Sequence, residues 1–84
     1  EYSSLLTNQA QILHGLDRRE EADALYRRAY DILRTEYPEA TREMAIQLNN
    51  RALLLSDMGR REEALELARE SVELRRRTYR GVNY

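Results

Sequence analysis

Few side chains in this sequence could perform chemistry, and the first to consider is the single histidine, His14. Nucleophilic catalysis with a histidine base needs a serine or similar nucleophile and a carboxylate that orients the ring. The candidates are Ser56, which lies 42 residues after His14, and its neighbour Asp57. The chain has no cysteine, and one histidine cannot form a two-histidine metal site. We therefore interpret His14 as an ordinary helix-end residue and expect neither enzymatic activity nor a bound metal.

The one dense basic run is Arg75-Arg76-Arg77, which is followed by Arg80. Arginines can bind phosphate groups, but single-stranded nucleic acid is usually also held by aromatic side chains on which the bases stack. Only Tyr79 and Tyr84 lie close to this run. Cations at a helix C-terminus complement the helix dipole. We interpret the run as a solvated helix terminus, with phosphate binding as the alternative, and do not expect a nucleic-acid partner.

The composition limits the fold and the kind of protein. The chain has 84 residues, of which 14 are basic and 15 acidic, and 42% are apolar, which is too many for a disordered tail. One proline and three glycines favour helices over turn-rich β structure. No apolar run approaches the roughly 18 residues of a membrane span, and the pattern of a signal peptide is missing. These features predict a soluble, cytoplasmic helical domain without a cofactor and without a membrane partner.

The sequence repeats itself with a period of 42 residues. The longest identical block pairs Arg18-Arg19-Glu20-Glu21-Ala22 with Arg60-Arg61-Glu62-Glu63-Ala64. Further identical pairs in the same register are Leu6 with Leu48, Asn8 with Asn50, Ala10 with Ala52 and Leu13 with Leu55. The repeats cover about 1–42 and about 43–84, and we expect 1–84 to be a single domain. Stacked repeats usually number about three or more, so we expect this domain to be a fragment of a longer array.

Apolar residues recur every three to four positions, as they do on the buried face of a helix. In the second unit this stripe consists of Met44, Leu48, Ala52 and Leu55. In the second helix of the first unit, the corresponding stripe consists of Ala22, Leu25, Tyr26, Ala29, Ile32 and Leu33. Asp23 and Arg27 lie four residues apart, a spacing that predicts an exposed ion pair. The four predicted helices cover about 2–15, 19–36, 39–57 and 61–78.

Three residues are expected to shape the links between these helices. Gly59 should end the third helix, because glycine accepts the left-handed conformation that helix C-termini often need. Asp17 occupies the equivalent position in the first unit and should keep the same turn at some energetic cost. Pro38 cannot continue the second helix and is expected in the first turn of the third.

The sequence resembles the tetratricopeptide repeat family, in the 42-residue form of kinesin light chains. The resemblance covers the whole chain and is strongest from Pro38 to Ala64. There Met44-Ala45-Ile46-Gln47-Leu48-Asn49-Asn50-Arg51-Ala52-Leu53-Leu54 is similar to the first helix of the family's repeat, and Gly59-Arg60-Arg61-Glu62-Glu63-Ala64 to its turn. The resemblance implies an all-α fold of two tandem helix-turn-helix hairpins, with four antiparallel helices in a short right-handed α-solenoid. Arg51 and Gln9 depart from the pattern, which prefers leucine there, so each must reach solvent or find a polar partner.

The resemblance further implies a protein–protein interaction scaffold that binds a peptide or partner protein on its concave face. That face is lined by the first helix of each unit. The positions carried over are Ser4, Thr7, Asn8, Gln11 and His14 in the first unit and Ile46, Asn49, Asn50, Leu53 and Ser56 in the second. The candidate peptide-binding residues among them are Thr7, Asn8, Gln11, Asn49, Asn50 and Leu53.

The two repeat-related asparagines leave two interpretations open. The carboxamides of Asn8 and Asn50 both donate and accept hydrogen bonds, so they can pair with the backbone of any peptide. They could equally tie one helix to the next. Leu53 could likewise form a pocket for a peptide side chain or pack on a neighbouring helix.

The last helix is more apolar than a single partner helix requires. Its candidate self-association residues are Leu65, Leu67, Val72 and Leu74. The alternative function is therefore a self-assembly module, in which copies stack their repeat ends or exchange a hairpin. Peptide binding predicts ligand contacts at Asn8 and Asn50, whereas self-assembly predicts contacts on the terminal hairpins.

Overall fold

The computed structural model describes the backbone of residues 2–82 and the side chains of residues 2–77. Its helices are α1 (Tyr2–Gly15), α2 (Arg19–Glu36), α3 (Thr41–Asp57) and α4 (Arg61–Val82). Within the described backbone every regular element is a helix. Each helix packs mainly on the next, so that α1 and α2 form one hairpin, α3 and α4 form another, and α2 joins them by packing on α3. The predicted all-α fold of two tandem hairpins is confirmed.

Two helix ends differ from their predicted positions. The prediction that Pro38 lies in the first turn of the third helix is wrong, because Pro38 and Glu39 form a turn in which Ala40 N–H donates to the Tyr37 carbonyl at 2.9 Å. Proline is favoured at the second position of such a turn, since its ring already fixes the required φ. At the other end of the chain, α4 continues to Val82 instead of ending near 78. The arginines before this stretch are good helix formers and no proline follows them, so the helix continues although Gly81 is a poor helix former.

The turn inside each hairpin has the same hydrogen bonds in both repeats. The bonds are Arg18 N–H to the Leu13 carbonyl and Arg60 N–H to the Leu55 carbonyl, both at 2.9 Å. They close the helix C-terminus in the manner of a Schellman motif, which requires a residue with positive φ. Asp17 has a φ of 64° and Gly59 a φ of 81°. The left-handed turns predicted at both positions are confirmed.

These turns give a first prediction, in which two substitutions have opposite effects. We expect Gly59→Ala to lower the free energy of unfolding by about 1 kcal/mol and Asp17→Gly to raise it by roughly 0.5 kcal/mol. A Cβ at Gly59 would meet no atom within 4 Å, so the cost is one of backbone conformation and not of a clash. Chemical denaturation followed by circular dichroism measures both changes. Gly15→Ala in α1 is the matched control, since it also meets no atom within 4 Å but should stabilise a helix. Equal effects at Gly15 and Gly59 would contradict this account.

The start of each second helix carries the same ion pair. In both repeats an arginine before the helix bonds a glutamate three residues later, with Nε–Oε1 at 2.6 Å and Nη2–Oε2 at 3.0 Å. The pairs are Arg18 with Glu21 and Arg60 with Glu63. The hydrogen bond from Arg60 lowers the pKa of Glu63, and Glu63 raises the pKa of Arg60. All four side chains are exposed, so water screens the pairs, and they orient the first turn more than they stabilise the fold.

Two clusters of buried side chains form the core. The first joins the repeats and consists of Ala10, Ala22, Tyr26 and Leu54. The second lies inside the second hairpin and consists of Ala52, Leu55 and Ala64. The whole predicted stripe of α3 is buried, whereas two members of the α2 stripe, Leu25 and Ile32, are only half-buried. Burial raises the pKa of the Tyr26 hydroxyl above its ordinary value of 10.0, which keeps this core residue neutral.

Candidate interaction surfaces

A shallow groove of about 460 Å³ lies between α1 and α3 and is open to solvent. Its lining residues are Gln11, His14, Gly15, Asp17, Tyr26, Asn50, Leu53 and Asp57. Three of the candidate peptide-binding residues, Gln11, Asn50 and Leu53, are therefore brought together here. An open groove along two helices suits an extended chain better than a small molecule, which needs a more enclosed pocket.

The other candidate residues lie outside the lining of this groove. Asn8 and Asn49 are exposed on α1 and α3. Thr7 is half-buried, and its hydroxyl donates to the Ser3 carbonyl at 2.8 Å and accepts from Gln47 Nε2 at 2.6 Å. The hydroxyl of Thr7 is therefore engaged between α1 and α3, and it is not among the atoms that line the groove.

Two polar contacts fix the spacing between the groove walls. One is the bond from Gln47 to Thr7, and the other joins His14 Nε2 to Asp57 Oδ2 at 2.6 Å. His14 is thus a contact between repeats as well as a helix-end residue. Among the described residues there is no group of three histidine, aspartate or glutamate side chains that could hold a metal ion.

Four of the candidate peptide-binding residues have side-chain amides that form no hydrogen bond with the rest of the described chain. Within residues 2–77 no hydrogen bond engages the side chains of Asn8, Gln11, Asn49 or Asn50. The alternative role for Asn8 and Asn50 was to tie neighbouring helices together. In the part of the chain that the structure describes, the ties between α1 and α3 come from Gln47 and His14 instead. The asparagine donors and acceptors are therefore available to a ligand.

Arg51 and Gln9, the two departures from the repeat pattern, resolve in different ways. Arg51 Nε donates to Asp23 Oδ1 at 2.5 Å, with the side chains only 22% and 12% exposed. Gln9 is exposed to solvent. Both outcomes match the expectation that such a residue finds a partner or reaches water. The predicted pair of Asp23 with Arg27 is wrong, because Arg51 offers Asp23 a partner shielded from water, where attraction between charges is stronger.

The candidate self-association residues on α4 divide into two kinds. Leu65 is 52% and Val72 is 48% exposed. Leu67 is half-buried and packs on the core of its own hairpin, and Leu74 is also half-buried. The outward-facing members of the set are therefore Leu65 and Val72.

Sequence reasoning missed an apolar face on α1. This face, here called the α1 outer face, consists of Leu5 and Ile12 of the helix and of Leu16 in the turn that follows Gly15, and all three are more than half exposed. Leu5 and Ile12 lie seven residues apart on one side of the helix, and Leu16 follows the helix end, where its N–H donates to the Ile12 carbonyl at 3.1 Å. The signal that could have revealed them is the 42-residue register, which aligns them with the buried Gln47 and Leu54 of α3 and with the half-buried Met58 that follows it.

Arg75, Arg76 and Arg77 are exposed on α4. The nearby Tyr79, Arg80 and Tyr84 lie outside the residues whose side chains are described. Of the helices described, none combines the length and the apolar character that crossing a membrane demands.

Comparison with known proteins gives one match. A family model with the description "Tetratricopeptide repeat" matches residues 1–77, which include both hairpins. Searches of curated proteins and of solved structures returned no match. The assignment to the 42-residue form of the repeat stays a prediction from the sequence.

Proposed function

Because the chain belongs to the tetratricopeptide repeat family, whose members are generally protein–protein interaction modules, we propose that it binds an extended segment of another protein in the groove between α1 and α3. The observation that carries the proposal is the position of Leu53 beside open carboxamides. Leu53 is 58% exposed, although the next two leucines of α3 are fully buried. An apolar side chain among unpaired amides suits a peptide that offers both a backbone and an apolar side chain.

The charges along the groove favour a basic peptide. Two carboxylates, Asp17 and Asp57, line it together with His14, and no arginine belongs to the lining. Charge complementarity steers encounter and suppresses partners of the wrong sign. We therefore expect the preferred ligand to carry a lysine or arginine near its contact with the Asp57 end of the groove.

Selection from a random peptide library displayed on phage tests this function. Peptides that bind the unmodified chain should bind the Leu53→Glu variant about tenfold more weakly, because a carboxylate replaces the apolar contact. The double variant Gln11→Ala with Asn50→Ala, which removes the two carboxamides of the groove lining, should weaken binding by a similar factor, because groups of the peptide backbone would be left unpaired. Affinities are measured by fluorescence anisotropy with the selected peptides.

Ile12→Glu is the matched control, since it places the same carboxylate on an equally exposed residue of α1 away from the groove lining. It should leave peptide affinity unchanged. Selected peptides that bind Leu53→Glu as tightly as the unmodified chain would overturn the proposed site, and a library without binders would overturn the proposed function.

The exposure of Leu65 and Val72 supports a second candidate function, self-association. Isolated exposed apolar residues are normal on a protein surface, but these two lie seven residues apart on one side of α4. A helix face of this kind is stabilised when another helix covers it. In this second proposal Leu65 and Val72 make the contact, Leu67 supports them from the hairpin core, and the half-buried Leu74 lies further along the same helix.

A further inference from the structure

The α1 outer face is exposed although its counterpart in the second repeat is covered. Ile12 is 63% exposed, whereas Leu54, which occupies the same position 42 residues later, is 0% exposed. Likewise Leu5 is 58% exposed, and its counterpart Gln47 is 6% exposed. The two helices have the same repeat position, so the difference comes from what packs on them.

Helix α2 packs on α3 at Leu54, where Ala10 of α1 also contributes to the buried cluster. Leu54 belongs to a buried cluster with Ala22 and Tyr26 of α2, and Asp23 of α2 bonds Arg51 of α3. No helix within residues 2–82 packs in this way on α1. Within residues 2–82 the α1 outer face therefore has no counterpart of the contact that α2 makes with α3.

Helix α4 carries the complementary surface, since it is the repeat counterpart of α2. In the 42-residue register Asp23 and Tyr30 of α2 correspond to Leu65 and Val72 of α4, the two residues that α4 exposes. At these two positions α4 therefore carries exposed apolar side chains where α2 has Asp23 and Tyr30. One chain therefore presents both halves of an interface that it already forms once internally.

We propose that these halves meet between copies: α4 of one molecule packs on the α1 outer face of the next, in the way that α2 packs on α3. The inference rests on the second candidate function above and adds to it the receiving surface and the direction of assembly. Ile12 would lie over Ala64 and Ala68, the counterparts of Ala22 and Tyr26. The internal pair of Asp23 and Arg51 would be replaced by Leu65 and Gln9, so these two positions bring no charge into the contact.

A contact of this kind joins two different surfaces, so every added copy offers a new free end. Such heterologous contacts produce open chains instead of closed dimers. A pair of helix faces buries less than the roughly 1,200–2,000 Å² of a standard stable interface. The average mass should therefore rise gradually with protein concentration, and no single oligomer should dominate.

Two variants, each with one of the two proposed contact surfaces blocked by glutamates, test the direction of assembly. The first carries Ile12→Glu with Leu16→Glu on the α1 outer face, and the second carries Leu65→Glu with Val72→Glu on α4. Light scattering over a roughly hundredfold concentration range should show an increasing mass for the unmodified chain. Each variant alone should remain at the 10.0 kDa of one chain. An equimolar mixture should form a dimer of twice that mass, because the α4 face of the first variant can still bind the α1 face of the second.

Leu53→Glu, in the groove, is the matched control and should assemble like the unmodified chain. Far-ultraviolet circular dichroism checks that each variant remains helical, and dimerisation of the mixture is itself evidence that both variants are folded. A constant 10.0 kDa for the unmodified chain would overturn both the inference and the second candidate function. Dimerisation of the α1-blocked variant alone would overturn only the head-to-tail contact, since it would show α4 pairing with α4. Loss of assembly in Leu53→Glu would place the contact in the groove and also overturn the inference.

Discussion

Leu54→Ala is expected to lower the free energy of unfolding by about 3 kcal/mol. The side chain is 0% exposed and packs where three helices meet, against Ala10 of α1 and against Ala22 and Tyr26 of α2. Two of these neighbours are alanines, which have no flexible atoms that could move into the space left behind. The cavity should therefore persist, and its cost adds to the lost burial of the leucine side chain. Urea denaturation followed by circular dichroism measures the change.

The adjacent leucines provide internal controls for this prediction. Leu53→Ala removes the same atoms from an exposed position and should change stability by no more than about 0.5 kcal/mol. Leu55→Ala should be about as costly as Leu54→Ala, but it creates its cavity inside the second hairpin instead of between the repeats. Similar values for Leu53→Ala and Leu54→Ala would show that the cluster between the repeats contributes little to the stability of the fold.

Arg51→Leu is expected to destabilise the fold by about 2 kcal/mol, although leucine is the residue that the repeat pattern prefers at this position. The substitution leaves the Asp23 carboxylate, which is 12% exposed, without its partner. Breaking a buried pair costs more than the pair itself contributes, because the remaining charge has lost both water and its counter-charge. Asp23→Leu should be similarly costly, since it leaves the guanidinium of Arg51 unpaired.

The double substitution, Asp23→Leu with Arg51→Leu, should recover most of this loss. Two apolar side chains of suitable size commonly replace a buried ion pair with little change in stability or with a gain. A double-mutant cycle by chemical denaturation therefore predicts a large coupling between the two sites. If the two single losses simply added in the double variant, the Asp23–Arg51 bond could not be the reason for either loss.

The sequence predicted the features that depend on neighbouring residues. The stripe of Met44, Leu48, Ala52 and Leu55 and the left-handed turns at Asp17 and Gly59 follow from local spacing and backbone preference, and all are present in the structure. The position of Pro38 was predicted wrongly because proline suits both the start of a helix and a preceding turn. The local pattern does not distinguish these two uses.

The polar contacts between repeats could not be predicted from local spacing. Gln47 meets Thr7, Asp57 meets His14 and Arg51 meets Asp23 across separations of 40, 43 and 28 residues. Each of these side chains also had a plausible nearer role in solvent or in an exposed pair. Their choice of partner depends on how the hairpins are oriented relative to each other. The sequence therefore predicted which helix face carries the candidate site. Only the structure showed that the hydroxyl of Thr7 is already hydrogen-bonded to Gln47.

The three polar contacts between repeats also have a mechanical consequence. They attach α3 to the first hairpin at Gln47, Arg51 and Asp57, which are spread over ten residues and so over about 15 Å of helix axis. A joint held at one point can twist, but a joint held at three points along its length resists torsion. Rotation of one hairpin about the other would have to break at least one of these bonds. We therefore expect the two hairpins to move as one rigid body under an applied force and not to rotate relative to each other.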